Sequence, residues 1–212
     1  MMKKKLFYFI LLITNGVYCQ SSEDAKKILD DVSIKISSFE NISFDFTYSL
    51  NNKEEQIKQE TTGNVTVSGN KYKLNYLGAT QLFDGEKTYT IIPENEEITI
   101  SKSDDENGVS INPSKLLTFY NSGYSYSMDI KQKHLDKSIQ FIKLIPKNKN
   151  SDLNYLLLGI DTNSKDIFRL IEIGKNQTTT TLTINNQKTN IKLNDSFFSI
   201  NLKNYPNYFI NN

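Results

Sequence analysis

The sequence predicts a mainly β protein with a few helices, an α+β fold of about ten or eleven short antiparallel strands. Residues that favour strands are abundant, with 12 Tyr and 12 Phe among 212 residues. Runs of alternating apolar and polar residues are separated by turn sequences such as Gly69-Asn70 and Asp84-Gly85. No linker, repeat or low-complexity spacer interrupts them. We therefore expect a single domain over residues 20–212.

Residues 1–19 predict a secretory signal peptide. Three lysines at positions 3–5 precede an apolar run over 6–13, which is too short to span a bilayer. We place cleavage after Cys19, so that Gln20 begins a mature chain without cysteine or disulfides. Removing the three lysines lowers the formal charge from +1 to about −2, which leaves no basic bias toward nucleic acid. The predicted location is the periplasm, with the chain soluble after cleavage.

Cys19 also permits a second interpretation. A cysteine directly after an apolar run can be lipidated, which would anchor the protein to a membrane. The preceding residue is Tyr18, where a small residue is usual. Both interpretations stay open at this point.

The first mature segment changes from helical to strand periodicity. Residues 22–39 carry apolar side chains at helical spacing and predict one amphipathic helix. Residues 42–50 then alternate strictly, which predicts a strand, and a polar strand follows to Val67. A third strand is predicted by the alternation of Tyr72, Leu74 and Tyr76.

The rest of the chain predicts further short strands around one helical interruption. An acidic loop over 103–112 leads to a short helix at 113–121, with Asn112 as cap and Pro113 at its first position. Strands are predicted at 89–92, 97–101, 124–131, 138–145, 153–161, 167–173 and 178–185, and the segments 197–202 and 205–210 close the chain.

Aromatic and aliphatic residues crowd one face of the early strands and more than one face of the 113–121 helix. They form either a solid core or the lining of a cavity that a ligand fills. The candidate residues for this lining are Phe44, Phe46, Tyr48, Tyr72, Leu74, Tyr76, Leu116, Leu117, Phe119 and Tyr120.

The residues that usually carry catalysis are sparse. His134 is the only histidine, so a site with several histidines is excluded and a Cys–His pair cannot form in the mature chain. The acidic loop lacks the regular alternation of a calcium loop. No carboxylate pair is marked out, although acids are common enough that the sequence does not exclude carboxylate chemistry. We expect no enzyme, no metal and no cofactor.

The order of these segments resembles the outer-membrane lipoprotein carriers (LolA-like), in their Bacteroidetes-type version. The resemblance runs over essentially the whole mature chain, although no single piece is specific. Its segments are Ser37-Ser38-Phe39, Ile42-Ser43-Phe44-Asp45-Phe46, Gly69-Asn70-Lys71-Tyr72, Phe83-Asp84-Gly85-Glu86-Lys87-Thr88-Tyr89, Asn112-Pro113, Ile142-Lys143-Leu144-Ile145-Pro146-Lys147 and Asp195-Ser196-Phe197-Phe198.

The resemblance implies a half-open, strongly curved antiparallel β-barrel covered by a helical lid. It implies a periplasmic carrier, a chaperone that binds acyl chains of lipoproteins in an apolar cavity and shuttles them from the inner to the outer membrane. The implied partners are acylated lipoproteins, an inner-membrane lipoprotein-releasing complex and an outer-membrane acceptor, and we expect a monomer. The alternative is an outer-membrane-anchored acceptor, or a lipid- or lipoprotein-sensing regulatory domain, on the same fold.

One position departs from the family pattern. The resemblance implies an arginine at the turn where this chain has Gly69-Asn70, and that arginine holds the lid closed. The only arginine in this chain is Arg169, in a late strand. The means by which this lid is held closed is therefore not predicted by the resemblance.

Overall fold

The computed structural model describes residues 16–102 and 117–211, with side chains from residue 21 onward. Within these two described ranges, one α-helix, α1, precedes twelve strands. Their bounds are α1 Gly16–Ser37, β1 Ile42–Asn52, β2 Ile57–Ser68, β3 Lys71–Tyr76, β4 Ala79–Phe83, β5 Lys87–Ile92, β6 Glu97–Lys102, β7 Tyr124–His134, β8 Lys137–Pro146, β9 Leu153–Asp161, β10 Ile167–Gly174, β11 Thr179–Thr189 and β12 Phe209–Asn211. Short 3-10 turns lie at Pro93–Asn95, Phe119–Asn121 and Leu202–Asn204.

All twelve strands form one open, curved sheet in the order β12-β6-β5-β4-β3-β2-β1-β11-β10-β9-β8-β7. Each neighbouring pair is antiparallel except β12 and β6, which run parallel. The two ends of this order, β12 and β7, are edge strands. The mainly β class and the curved antiparallel sheet are confirmed, and the arrangement is consistent with a half-open barrel.

The predicted number of ten or eleven strands is slightly wrong because the sequence pattern hides one hairpin. β3 and β4 are joined by Leu77 and Gly78, whose φ angles are +52° and +76°. A glycine tolerates this left-handed conformation, so Gly78 is the available turn signal. The pattern merges the two strands because Leu77 continues the apolar run.

The segments that close the chain contain little strand. They include the 3-10 turn at Leu202–Asn204 and the three residues of β12. The Nζ atom of Lys73, on the outer face of β3, lies 5.3 Å from the ring centre of Phe197. The C-terminal segment therefore passes over the outside of the sheet before β12 joins β6.

Both predicted helices also change. α1 begins at Gly16 and ends at Ser37, whereas the periodicity predicts 22–39. Of the predicted helix at 113–121, residues 113–116 lie outside the described residues, and the described part is a turn followed by the 3-10 turn at Phe119–Asn121. Among the helices described, none is both long and apolar enough to pass through a membrane.

α1 covers the inner face of the sheet. Its residues Ala25, Leu29 and Val32 are buried in the main apolar cluster, which also contains inward side chains of strands on both sides of the sheet's centre. At its C-terminal end, Lys35 Nζ lies 2.6 Å from a carboxylate oxygen of Asp166, beside β10. The helix is thus fixed to the sheet by apolar burial and by this ion pair.

The close packing of aromatic rings across β2 depends on a small residue. Gly63 lies opposite Phe46 of β1 and Tyr76 of β3. A Cβ atom at Gly63 would overlap the ring of Phe46 and the carbonyl oxygen of Asn75. Glycine therefore lets the two neighbouring aromatic side chains lie across β2 on the inner face.

Candidate functional site

The structure brings the predicted acyl-binding residues together on the inner face. Leu116 lies outside the described residues, and the other nine all belong to one apolar cluster or pack against it. The buried members are Phe44, Phe46, Tyr72, Leu117 and Tyr120, and the partly buried ones are Tyr48, Leu74, Tyr76 and Phe119. Their assignment to acyl-chain binding stays a prediction.

The aromatic members form a continuous series from the buried core to the accessible surface. Phe46 is buried, and its ring centre lies 5.8 Å from that of Tyr76. Tyr76 in turn meets the ring of Tyr48 edge-on at 5.9 Å. Both tyrosines are only partly buried. The inner face thus presents partly exposed aromatic surface that is continuous with the core.

A second aromatic group lies below α1. Phe119 makes edge-on contacts with Tyr120 and Tyr124 at 5.7 Å and 5.9 Å between ring centres. Tyr120 has no exposed surface. Its hydroxyl lies 3.3 Å from that of Ser33, which also donates to Asn121 Oδ1 at 2.8 Å. Burial raises the pKa of Tyr120, and the Ser33 hydrogen bond opposes this.

These two hydrogen bonds hold α1 against the C-terminal end of the predicted 113–121 helix. They differ from the arginine contact that the family resemblance implies. Arg169 lies elsewhere: its Nε donates to Thr183 Oγ1 at 3.1 Å, and its guanidinium carbon lies 4.9 Å from the ring centre of Phe168. In the described part of the chain, Ser33 is therefore the polar group that joins α1 to Tyr120 and Asn121.

The inner face becomes polar toward β6. Gln81 lies opposite Leu74, Thr90 lies opposite Gln81, and Thr99 lies opposite Thr90, so all share the inner face. All three are partly buried. Tyr72 donates from its hydroxyl to Gln81 Oε1 at 3.1 Å. The apolar part of the inner face is thus bordered by groups that can hydrogen-bond to a polar part of a ligand.

Sequence reasoning missed an inward carboxyl group, Glu172 in β10. It lies opposite Leu156 and Thr180, on the same face as Leu170. Burial raises the pKa of Glu172 because the charged form loses solvation. The alternation of Leu170 and Glu172 is the signal that could have indicated the shared face.

Several partly buried apolar side chains were also missed. They pack against the main cluster from β7, β9 and β11. They are Tyr124, Tyr126, Met128, Leu153 and Leu182. The alternation of Tyr124, Tyr126 and Met128 was available in the sequence, because each is separated from the next by one polar residue.

The outer face of the same strands has a different chemistry. A cleft of about 870 Å³ is lined mainly by polar residues such as Asp45 and Thr47, and it also touches Phe46 and Tyr76. Within it, Asn75 Nδ2 donates to Asn64 Oδ1 at 2.8 Å. Acyl chains gain nothing from such a surface, so the apolar inner face is the better candidate.

No close grouping of three histidine, cysteine or acidic side chains that could hold a metal ion occurs within residues 16–102 and 117–211.

Comparison with known families decides which group of proteins shares this architecture. The model of the family described as outer membrane lipoprotein carrier protein LolA matches residues 15–177. The chain belongs to the LolA family. That membership supports a lipoprotein-binding role for this LolA-like chain. The Bacteroidetes-type resemblance stays a prediction.

Solved structures that are similar to this chain have low sequence identity. An uncharacterized conserved protein from Thermus thermophilus has a TM-score of 0.55 and 10% identity, with 88% of this chain and 98% of that chain covered. A LolA superfamily protein from Nitrosomonas europaea has a TM-score of 0.43 and 10% identity, covering 85% and 98%. LprF from Mycobacterium bovis has a TM-score of 0.49 and 14% identity, covering 82% and 96%. A comparison with curated proteins finds no match.

Proposed function

We propose that this LolA-like chain is a periplasmic carrier that binds the acyl chains of lipoproteins on its inner face and shuttles them from the inner to the outer membrane. The observation that carries the proposal is the aromatic series Phe46–Tyr76–Tyr48, which extends from the buried core to partly exposed positions. Apolar surface left accessible on the inside of a curved sheet suits a flexible apolar guest.

The size of the hydrophobic effect is sufficient for such a carrier. Burial of one methylene contributes about 0.8 kcal/mol. Ten methylenes therefore contribute about 8 kcal/mol before ordering costs, which corresponds to roughly micromolar binding. A carrier must also release its cargo, and partly exposed rings such as Tyr48 and Tyr76 bury less acyl surface than a closed pocket does.

The polar residues that border the apolar part of the inner face suggest how the cargo is oriented. Gln81, Thr90 and Thr99 lie at the end of the inner face away from α1's main contacts. The acyl chains would lie on the aromatic series, and the polar start of the lipoprotein would meet these hydroxyl and amide groups. We propose that the carrier works by binding alone, with no bond made or broken.

The proposed route requires a donor and a recipient. An inner-membrane lipoprotein-releasing complex would load the carrier, and an outer-membrane acceptor would unload it. The carrier would act as a monomer, exported by the predicted signal peptide at residues 1–19. Exchange would require the segment at Phe119–Asn121 to separate from α1, because the hydrogen bonds of Ser33 close that side of the inner face.

The experiment measures transfer of a fluorescent triacylated lipopeptide from donor vesicles to acceptor vesicles by the purified protein. The test variant is Tyr76→Ser, on the inner face. The matched control is Tyr89→Ser, which makes the same change on the outer face, since Tyr89 pairs with Leu82 and Ile100 away from Phe83.

We expect the native chain to accelerate transfer and Tyr76→Ser to lower the rate about 5- to 10-fold, through lost apolar contact. Tyr89→Ser should stay within about 2-fold of the native rate. An absence of acceleration by the native chain, or equal losses in both variants, would refute the proposal.

A further inference from the structure

The hairpin of β7 and β8 ends in an exposed apolar tip. We call residues 129–138 the β7–β8 tip. Leu135 is 88% exposed and Ile130 is 60% exposed. Two of the seven exposed large apolar side chains of the described residues therefore lie within six positions of each other, on one projecting hairpin.

Leu135 is also unfavourable for the turn it occupies. Its φ angle is +54°, in the left-handed region that glycine and asparagine adopt more easily than leucine. Its side chain is almost completely exposed, so packing inside the protein does not compensate for this conformation. Neither the fold of the turn nor the core explains a leucine at this position.

Cationic side chains surround the tip. Lys131, Lys133 and Lys137 are all exposed. Lys137 Nζ lies 5.5 Å from the ring centre of Phe168, and Arg169 lies 4.9 Å from the same ring on its own strand. The tip thus presents apolar side chains beside long, flexible basic ones, a combination typical of segments that lie at the surface of an anionic membrane.

The base of the hairpin is firmly packed. Ile139, Phe141 and Phe168 form a second buried cluster on the outer face of β8 to β10, separate from the main core. The ring of His134 lies 4.9 Å from that of Phe168. This cluster holds the projecting turn in one orientation, so Leu135 can insert without a loss of order in the sheet.

We propose that the β7–β8 tip docks the protein on an anionic phospholipid surface, with Leu135 in the interfacial region and Lys131, Lys133 and Lys137 against the headgroup phosphates. A membrane fits this tip better than a protein partner. A stable protein interface buries about 800 Å² on each side, and a tip with two exposed apolar side chains offers far less. A lipid surface needs no such area or complementary shape.

Charge limits the strength of this contact. Asp129 and Asp136 lie on the same tip, and Asp129 Oδ1 accepts from the backbone N–H of Ile130 at 2.7 Å. Three lysines against two aspartates leave a small positive excess, to which Arg169 adds. The docking is therefore reversible and sensitive to salt, as a carrier that must leave the membrane requires.

The position of the tip relates the docking to the inner face. β7 is an edge strand, and its first half contributes Tyr126 and Met128 to the main apolar cluster. The backbone N–H of Met128 donates to Ser21 Oγ of α1 at 3.2 Å. Docking through the far end of β7 would bring this edge of the inner face toward the lipid. This inference goes beyond the proposed acyl-chain transport and is tested separately from it.

The experiment measures cosedimentation of the purified protein with vesicles of phosphatidylcholine alone and of phosphatidylcholine with about 30% phosphatidylglycerol, at about 50 mM and about 300 mM NaCl. The variants are Leu135→Ser and the double change Lys131→Ser with Lys133→Ser. The matched control is Ile34→Ser, since Ile34 is 71% exposed but lies on α1. Binding of a fluorescent fatty acid in solution, without vesicles, reports the inner face independently.

We expect the native chain to bind the anionic vesicles at low salt and to lose that binding at high salt. Leu135→Ser should weaken it about 5-fold or more, and the double lysine change about 5-fold or more. Ile34→Ser should bind like the native chain, and all variants should bind the fatty acid equally.

Absence of binding to anionic vesicles, or an equal loss in Ile34→Ser, overturns the docking proposal. If Leu135→Ser instead impairs only binding to the inner-membrane releasing complex, the tip is a protein contact and the proposal is wrong. A native chain that docks on vesicles but does not bind the fatty acid would count against the proposed function and not against the docking.

Discussion

The two halves of the inner face differ in how completely they are filled. The packed half comprises the inward side chains of β8 to β10 below α1, and its aliphatic members on β8 and β9 are almost completely buried: Ile142, Leu144, Leu156, Leu158 and Ile160. The open half comprises those inward side chains between β1 and β6 that stay partly exposed beside the buried Phe44, Phe46 and Tyr72: Tyr48, Leu74, Tyr76, Gln81, Thr90 and Thr99.

The difference indicates that the two halves of the sheet have different roles. The packed half buries aliphatic side chains at the density that stabilises a domain. The open half keeps aromatic surface accessible, at a cost in burial that a purely structural domain would avoid. The packed half therefore supplies stability, and the open half supplies the surface that we propose for acyl chains.

The largest expected effect is on the free energy of unfolding, and it is measured by replacing one residue from each half. Leu158→Ala removes a fully buried side chain and should lower the free energy of unfolding by about 2–5 kcal/mol. Tyr76→Ala removes a partly exposed ring and should lower it by about 1–2 kcal/mol, since less surface returns to water. Urea denaturation of both variants measures the two values. The assignment of stability to the packed half is wrong if Tyr76→Ala destabilises the protein as much as Leu158→Ala.

A smaller effect is expected at the inward carboxyl of the packed half. The pKa of Glu172 is raised by burial, so the folded protein binds a proton more readily than the unfolded chain does. This carboxyl therefore lowers stability as the pH rises through its pKa, and it has no such effect below the pKa of the unfolded state. Glu172→Gln should stabilise the protein at about pH 8 by about 1 kcal/mol or less and change little at about pH 3.

Thermal unfolding of the Glu172→Gln variant and the native chain at the two pH values tests this prediction. An exposed carboxyl on the β7–β8 tip, Asp136, provides the control through Asp136→Asn. A stabilisation of Glu172→Gln that is equal at both pH values would show that the carboxyl charge is not its cause.

The smallest effect concerns the attachment of α1. Partial burial raises the pKa of Asp166, but hydrogen bonds from Lys35, Ser164 and Gln187 and the charge of Lys35 outweigh it and hold that pKa below its ordinary value. The stabilisation is present at neutral pH and is lost as the pH falls through the lowered pKa of Asp166. Because both partners are partly exposed, the contribution is about 0.5 kcal/mol.

Lys35→Met should remove most of this dependence and flatten the acid side of a plot of unfolding free energy against pH. Urea denaturation between about pH 2.5 and about pH 7 provides the measurement. Lys26→Met is the control, because Lys26 pairs with Asp30 on the surface of the same helix. If the unfolding free energy of Lys35→Met falls with decreasing pH as steeply as that of the native chain, Lys35 does not stabilise ionised Asp166.

Strong periodicity made much of the fold predictable, and the failures have local causes. The alternation of Phe44, Phe46 and Tyr48 places β1 correctly because one face of the strand is buried and the other is not. The turn at Leu77 and Gly78 was missed because an exposed leucine occupies a left-handed position. β12 was beyond prediction, since a parallel contact with β6 depends on how the C-terminal segment crosses the sheet.

The sequence predicted which residues share the face of the candidate site but not how far each of them is buried. Alternation correctly grouped Tyr48 and Phe44 on one face, but only the fold shows that Phe44 is buried while Tyr48 remains partly exposed. Glu172 was overlooked because a carboxyl on an apolar face runs against the usual partition of charged residues. The sequence therefore identified the inner face, and the structure distinguishes its two halves.

Site-specific photo-cross-linking in living cells tests the central claim most directly. A photoreactive phenylalanine analogue replaces Tyr48 or Tyr76, on the open half, or Tyr89, on the outer face of the same sheet. We expect adducts with lipid-modified proteins at Tyr48 and Tyr76 and none at Tyr89, with the adducts lost when lipoprotein acylation is blocked. Adducts at all three positions alike, or none at Tyr48 and Tyr76, would contradict the account.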